Sequence, residues 1–132
     1  MRKTIACTAV IVLANALIGL GAPQSQPSAT ESTKLDLVEV VGCLAEEPTG
    51  TWLIVNATEP VVAKTPYTNE AAIKAAQTKP LGTLQFGLIA IGMFSPDAHR
   101  GQKIAVKGLL IKDPKGDRLN VTSLQMVATM CA

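Results

Sequence analysis

The chain has 132 residues, 48% of them hydrophobic, and one histidine. Its only aromatic side chains are Trp52, Tyr67, Phe86 and Phe94, which suits one small domain and leaves little to stack nucleobases on. The formal charge of +2 comes from 12 Lys and Arg against 10 Asp and Glu. Arg2 and Lys3 lie in the first segment and every acid lies beyond it, so the rest is formally neutral and has no electrostatic footprint for nucleic acid or an anionic membrane.

Residues 1–22 read as an export signal peptide. Arg2 and Lys3 form a cationic start, residues 5–20 an uncharged and mostly apolar run, and Gly19, Gly21 and Ala22 a small-residue exit. Cleavage is expected near Gly21 or Ala22; an uncleaved membrane anchor is the alternative, because the run is close to the length of a spanning helix. Cys7 lies inside this segment, before most of the apolar run, and is an ordinary residue of it. Residues 23–34, built from Pro, Gln, Ser, Ala, Thr and Glu, bury too little apolar surface to hold a structure and read as a flexible linker. Residues 35–132 remain as the domain, exported to a periplasmic or extracellular compartment.

Five strands are expected there. Residues 35–44 (LDLVEVVGCL) are rich in β-branched side chains and end at the turn Glu46-Glu47-Pro48-Thr49-Gly50. Residues 51–58 (TWLIVNAT) form the second strand, with Thr51, Leu53, Val55 and Ala57 assigned to the interior and Trp52 and Ile54 to the outside. The reverse parity, with Trp52 inside, is the competing assignment. Residues 83–90 alternate Leu84, Phe86, Leu88 and Ala90 with polar or small residues, the period of a half-buried strand. Residues 103–112 carry Gly108, where a bend or bulge is expected. In residues 119–130, Leu119 and Val121 are odd and Leu124 and Met126 even, so one face is served only if a bulge falls near Thr122-Ser123.

The connections carry their own signals. Asp113-Pro114-Lys115-Gly116 has the preferences of a type I turn and makes the last two strands a hairpin. Ser95-Pro96-Asp97-Ala98-His99-Arg100-Gly101 reads as one or two helical turns, with Ser95 as N-cap and Pro96 first. Residues 59–82 are a longer insert whose centre, residues 68–78, is alanine-rich with Glu70 and Lys74 at i,i+4. That helix is expected to cover the side of the second strand carrying Trp52 and Ile54, an apolar pair too large to leave in water.

Candidate chemistry is sparse. Ser95, Asp97 and His99 on one helical turn do not converge as a triad, since Asp97 points away from the other two. Cys43, Cys131 and His99 lack the spacing of a metal site. For an exported domain with two cysteines, a Cys43–Cys131 disulfide is the leading reading, and two free buried thiols the alternative. Asp113 and Asp117 are turn residues rather than a Ca²⁺ loop. Asn56-Ala57-Thr58 and Asn120-Val121-Thr122 match a glycosylation sequon but fall within strands. No nucleophile, base and orienting group can be named together, so no enzyme activity and no cofactor is expected.

The expectation is therefore an all-β fold, a five-stranded OB-like barrel with a short helix between strands three and four and a helical insert between strands two and three. The succession Val41-Gly42-Cys43-Leu44, Trp52-Leu53-Ile54-Val55-Asn56-Ala57-Thr58, Gly101-Gln102-Lys103-Ile104-Ala105-Val106-Lys107-Gly108 and Leu119-Asn120-Val121-Thr122-Ser123-Leu124 resembles small secreted bacterial OB-like proteins of uncharacterised function. More distantly it is similar to the periplasmic bacterial OB-fold family. The resemblance spans most of residues 38–131 and implies no catalytic residues. It points to a non-catalytic binding or interaction module of the cell envelope, whose partner is an envelope protein or a small ligand. The face of strands two and three, with Trp52, Ile54, Asn56 and Gln85, is the candidate ligand or partner face. A single-stranded nucleic-acid or oligosaccharide-binding domain and a small enzyme are the alternatives, and membrane contact arises only if the signal segment is retained.

Overall fold

The computed structural model describes residues 34–131. The expected signal peptide, Cys7 and all of the expected linker but Lys34 lie outside the described residues.

Six strands and one α-helix follow in chain order: β1 (Leu37–Glu46), β2 (Trp52–Ala57), β3 (Val61–Val62), α1 (Glu70–Gln77), β4 (Leu84–Ile89), β5 (Lys103–Ile111) and β6 (Arg118–Ala128). Two 3₁₀ turns, Gly92–Phe94 and Pro96–His99, separate β4 from β5. Neighbouring strands run β2-β4-β6-β5-β1, and β1 also pairs with β2, so the five long strands close into a ring. All pairs in the ring are antiparallel except β4–β6, which is parallel. The short β3 continues the path of β2 along the first half of β1.

Even residues of β1, Val38, Val40 and Leu44, point into the ring and meet Ile54, Phe86, Leu88, Ile104, Val106 and Leu119 in one apolar core. Gly42 sits where β1 bends: a Cβ there would come within 2.7 Å of the Val55 carbonyl oxygen and 2.8 Å of the Ile54 side chain. Gly108 answers it on β5, where a Cβ would lie 2.6 Å from the Asn120 carbonyl oxygen. Opposite it, Lys107 faces Ser123 and Gly108 faces Val121, which leaves Thr122 as the extra residue of a bulge. That bulge turns both Val121 and Leu124 into the core, as their parity required.

The second strand corrects the assigned parity. Ile54 is fully buried in the core and Trp52 is half-buried against it, whereas Leu53 and Val55 are only half-buried. Two large side chains inside remove more apolar surface from water than the smaller alternates would. The register then shifts between Ile54 and Ala57, with Asn56 at φ 48°, and Ala57 also reaches the core. Strict alternation fails because the ladder to β4 carries an irregularity between Ile54 and Ala57.

Helix α1 lies within the expected span but docks elsewhere. Its buried residue, Ala76, meets Val41, Ala105 and Val127 on the outer side of β1, β5 and β6, so it does not cover Trp52. Small side chains on both partners allow the close approach. Asn69 caps the helix, its Oδ1 accepting from the Ala72 N–H at 2.9 Å. Trp52 is instead covered by Arg100, whose guanidinium carbon lies 5.1 Å from the ring centroid, and Arg100 is held by Glu46 and Asp97.

The Cys43–Cys131 disulfide is formed, with the Cα atoms 5.6 Å apart and a sequence separation of 88. It ties the middle of β1 to the segment after β6, where the Cys131 N–H donates to the Gly101 carbonyl at 3.1 Å.

Candidate functional site

On the outer side of β2 and β4 lies an open cleft of about 500 Å³. Its floor is Leu53, Gln85 and Gly87, its near wall Glu47 from the β1–β2 turn, and its far wall Asp113, Lys115, Gly116, Asp117 and Arg118 from the β5–β6 hairpin. A second hollow of about 310 Å³ shares Gln85 and Asp117 with it and continues past Lys112 to Glu59, Pro60, Leu84 and Phe86. The two make one groove across β4.

The hairpin is a firm wall because its backbone is bonded internally. The Gly116 N–H donates to the Asp113 carbonyl at 3.0 Å, and the Lys115 N–H to Asp113 Oδ1 at 2.9 Å, the turn expected from the Asp-Pro-Lys-Gly sequence. Lys112 Nζ pairs with Asp117 at 2.7 Å and Arg118 with Asp113 at 3.3 Å. The hydrogen bond from Lys112 holds the Asp117 carboxyl below its ordinary range; desolvation opposes it, and the Asp113 N–H and the charge of Lys112 add smaller lowering effects. Arg118 also lies across the floor: a Cβ on Gly87 would come within 3.1 Å of its side chain. The missing side chain at Gly87 is what admits the arginine stem.

The cleft offers both signs of charge close together over a narrow apolar floor. Cations at Lys115 and Arg118 and carboxylates at Glu47 and Asp117 can orient a polar ligand by paired hydrogen bonds. Among the described residues no aromatic side chain lines the main cleft; Phe86 borders only the second hollow and is itself 3% exposed.

Of the four residues expected to make the face, only Gln85 lines this cleft. Asn56 is exposed, Trp52 is half-buried beneath Arg100, and Ile54 is buried in the core, so the four do not form one surface. The correction follows from the parity of β2. Of the wall residues, the sequence assigns Asp113, Lys115 and Asp117 to a turn and Arg118 to no role; the signal for the wall is the run 112–118, seven residues holding three cations and two carboxylates.

Other candidate chemistry is accounted for by local bonds. His99 Nδ1 bonds to Gln102 Oε1 at 2.9 Å, while Asp97 accepts from Arg100 at 2.9 Å. Ser95 stands at the expected N-cap position, but with φ 51° in place of the extended backbone of a capping residue, and its side chain makes no capping bond. Among the described residues, no group of three or more His, Cys, Asp and Glu is placed to hold a metal ion, and no helix is long and apolar enough to cross a membrane.

No protein-family model matches the chain, and no curated protein or solved structure does so either.

Proposed function

We propose that the ring is an OB-like barrel and that the domain is an exported, non-catalytic binding module, with the groove over β2 and β4 as its ligand site. The observation that carries this reading is the position of the cleft. The five long strands follow the order one-two-three-five-four around the ring, and a 3₁₀ segment joins the third to the fourth. In OB barrels, ligands sit on the face of strands two and three between the first hairpin turn and the last, and Glu47, Gln85 and Lys115 occupy those three places here. The resemblance to small secreted OB-like proteins agrees with it, and a disulfide suits an oxidising compartment. A lining of mixed charge without aromatic platforms favours a polar small molecule or a polar segment of an envelope protein over a single-stranded nucleic acid.

Chemical-shift mapping tests the reading. The isotope-labelled domain is titrated with panels of charged small molecules, short peptides, oligosaccharides and oligonucleotides. A true ligand shifts the amides of Gln85, Gly87, Lys115 and Arg118, and Arg118→Glu weakens it by roughly tenfold or more, as loss of a charge-assisted bond requires. Shifts confined to other surfaces, or equal binding by Arg118→Glu, would refute it.

A further inference from the structure

The outer side of β5 and β6 holds a segment that is attached almost entirely by polar contacts. Between residues 58 and 85 the only buried residue is Ala76. What binds this segment to the ring is a set of donors reaching up from the strands. Lys103 Nζ donates to the carbonyls of Gln77 at 3.2 Å and Lys79 at 2.7 Å. Lys107 Nζ donates to the Tyr67 carbonyl at 2.8 Å and to Thr65 Oγ1 at 3.4 Å. Thr122 Oγ1 donates to the Pro66 carbonyl at 2.9 Å. Both lysines are only 7% exposed, and Glu39 faces Lys79 at 3.4 Å and Lys107 at 4.0 Å.

We propose that residues 64–79 are a strap that undocks as one unit while the ring stays closed, with the ammonium groups of Lys103 and Lys107 as its latches. Stability within a structure follows the apolar surface each part buries, and here one alanine stands against the dozen core side chains of the ring. The polar latches exchange for water when the strap lifts, so their net contribution is small. An eight-residue helix is not stable alone in water, and α1 therefore unfolds as it undocks. Opening bares Val41, Ala105 and Val127, a narrow apolar strip between two cations and one carboxylate, on a different side of the ring from the cleft. The strap is thus a cover over a second surface.

Native-state hydrogen exchange on the intact chain tests this. The amides of Ile73 and Lys79 are expected to exchange at least about a hundredfold faster than those of Val40 and Val106, after correction for intrinsic rates and with little denaturant dependence, the mark of a local opening. Lys103→Met keeps the stem and removes the donor from the docked state; it should speed the strap amides about tenfold while their denaturant dependence stays small. Thr122→Ala is the milder variant at an exposed residue, and it should move the same amides in the same direction if Lys103→Met does not fold. Since Thr122 lies outside the helix, simple fraying of α1 would be insensitive to it. Equal protection in strap and ring, a denaturant dependence of the strap amides as large as that of the ring amides, or no response of the strap amides to Thr122→Ala would overturn the proposal.

Discussion

β5 carries Lys103 and Lys107 into a buried layer beneath the insert, whereas the turn that follows it leaves Lys112 and Lys115 in solvent. The four residues are alike in type and lie within a dozen positions of one another. The ammonium groups of the first pair are buried and end on backbone carbonyls of the insert, and that of Lys112 lies in solvent and ends on the half-buried Asp117 carboxylate 2.7 Å away. A buried donor is hard to lose because its acceptors are left unsatisfied, while an exposed ion pair exchanges for water at little loss. The charge of a lysine therefore says less about its worth than the burial of the group it meets.

The largest test removes the covalent tie that both regions share. Cys43→Ala with Cys131→Ala should lower unfolding stability by about 4.5 kcal/mol in urea, the loop-closure entropy of so long a span. An effect below about 1 kcal/mol would mean that the tail is held by other contacts. Next comes the ring's own packing: Gly42→Ala places a methyl against the Val55 carbonyl and should cost about 1–3 kcal/mol, the range of overpacked sites.

The lysines themselves sharpen the contrast. Lys103→Met should cost about 1–2 kcal/mol globally, limited by what docking the strap contributes, and Lys112→Met under about 1 kcal/mol. Equal losses would break the comparison. The smallest effect is one of pH. The folded-state pKa of Asp117 is lowered, so its pairing with Lys112 stabilises fully above the ordinary carboxylate range and is lost as pH falls through that lowered value. The stability gap between the wild type and Asp117→Asn should accordingly close in acid, as followed by thermal unfolding across a pH series.

Much of the fold was legible from local pattern. The five long strands fall within two residues of their expected ends, and the bulge at Thr122 follows from the switch in parity between Val121 and Leu124. Parity misled in β2 because the register shifts between Ile54 and Ala57, where Asn56 has φ 48°, a backbone event that the alternation TWLIVNAT does not announce. The helix was visible in its alanines and its Asn69 cap, but its docking face was not: Ala76 is no more apolar than Ala71 or Ala75, and only the small Val41 and Ala105 surface across the ring selects it. The cleft was least legible. Its parts come from three separate stretches of chain, and Gln85 alone carried over from the expected face.

The parallel pair β4–β6 also sets the order in which the molecule comes together. Gly87 and Leu88 meet Arg118 and Leu119 across some thirty residues of intervening chain, and β1 needs β5 from still further along. Before β5 emerges only β1, β2, β3 and β4 can pair, as an open sheet that lacks the two strands closing the ring. Contacts this distant put folding in the slow range of milliseconds to seconds, and they make it all or none with respect to length. A chain stopped before Arg118 lacks the strand that joins both halves of the ring and is expected to show no cooperative unfolding transition. During synthesis, the domain is expected to stay unfolded until β6 is free to pair.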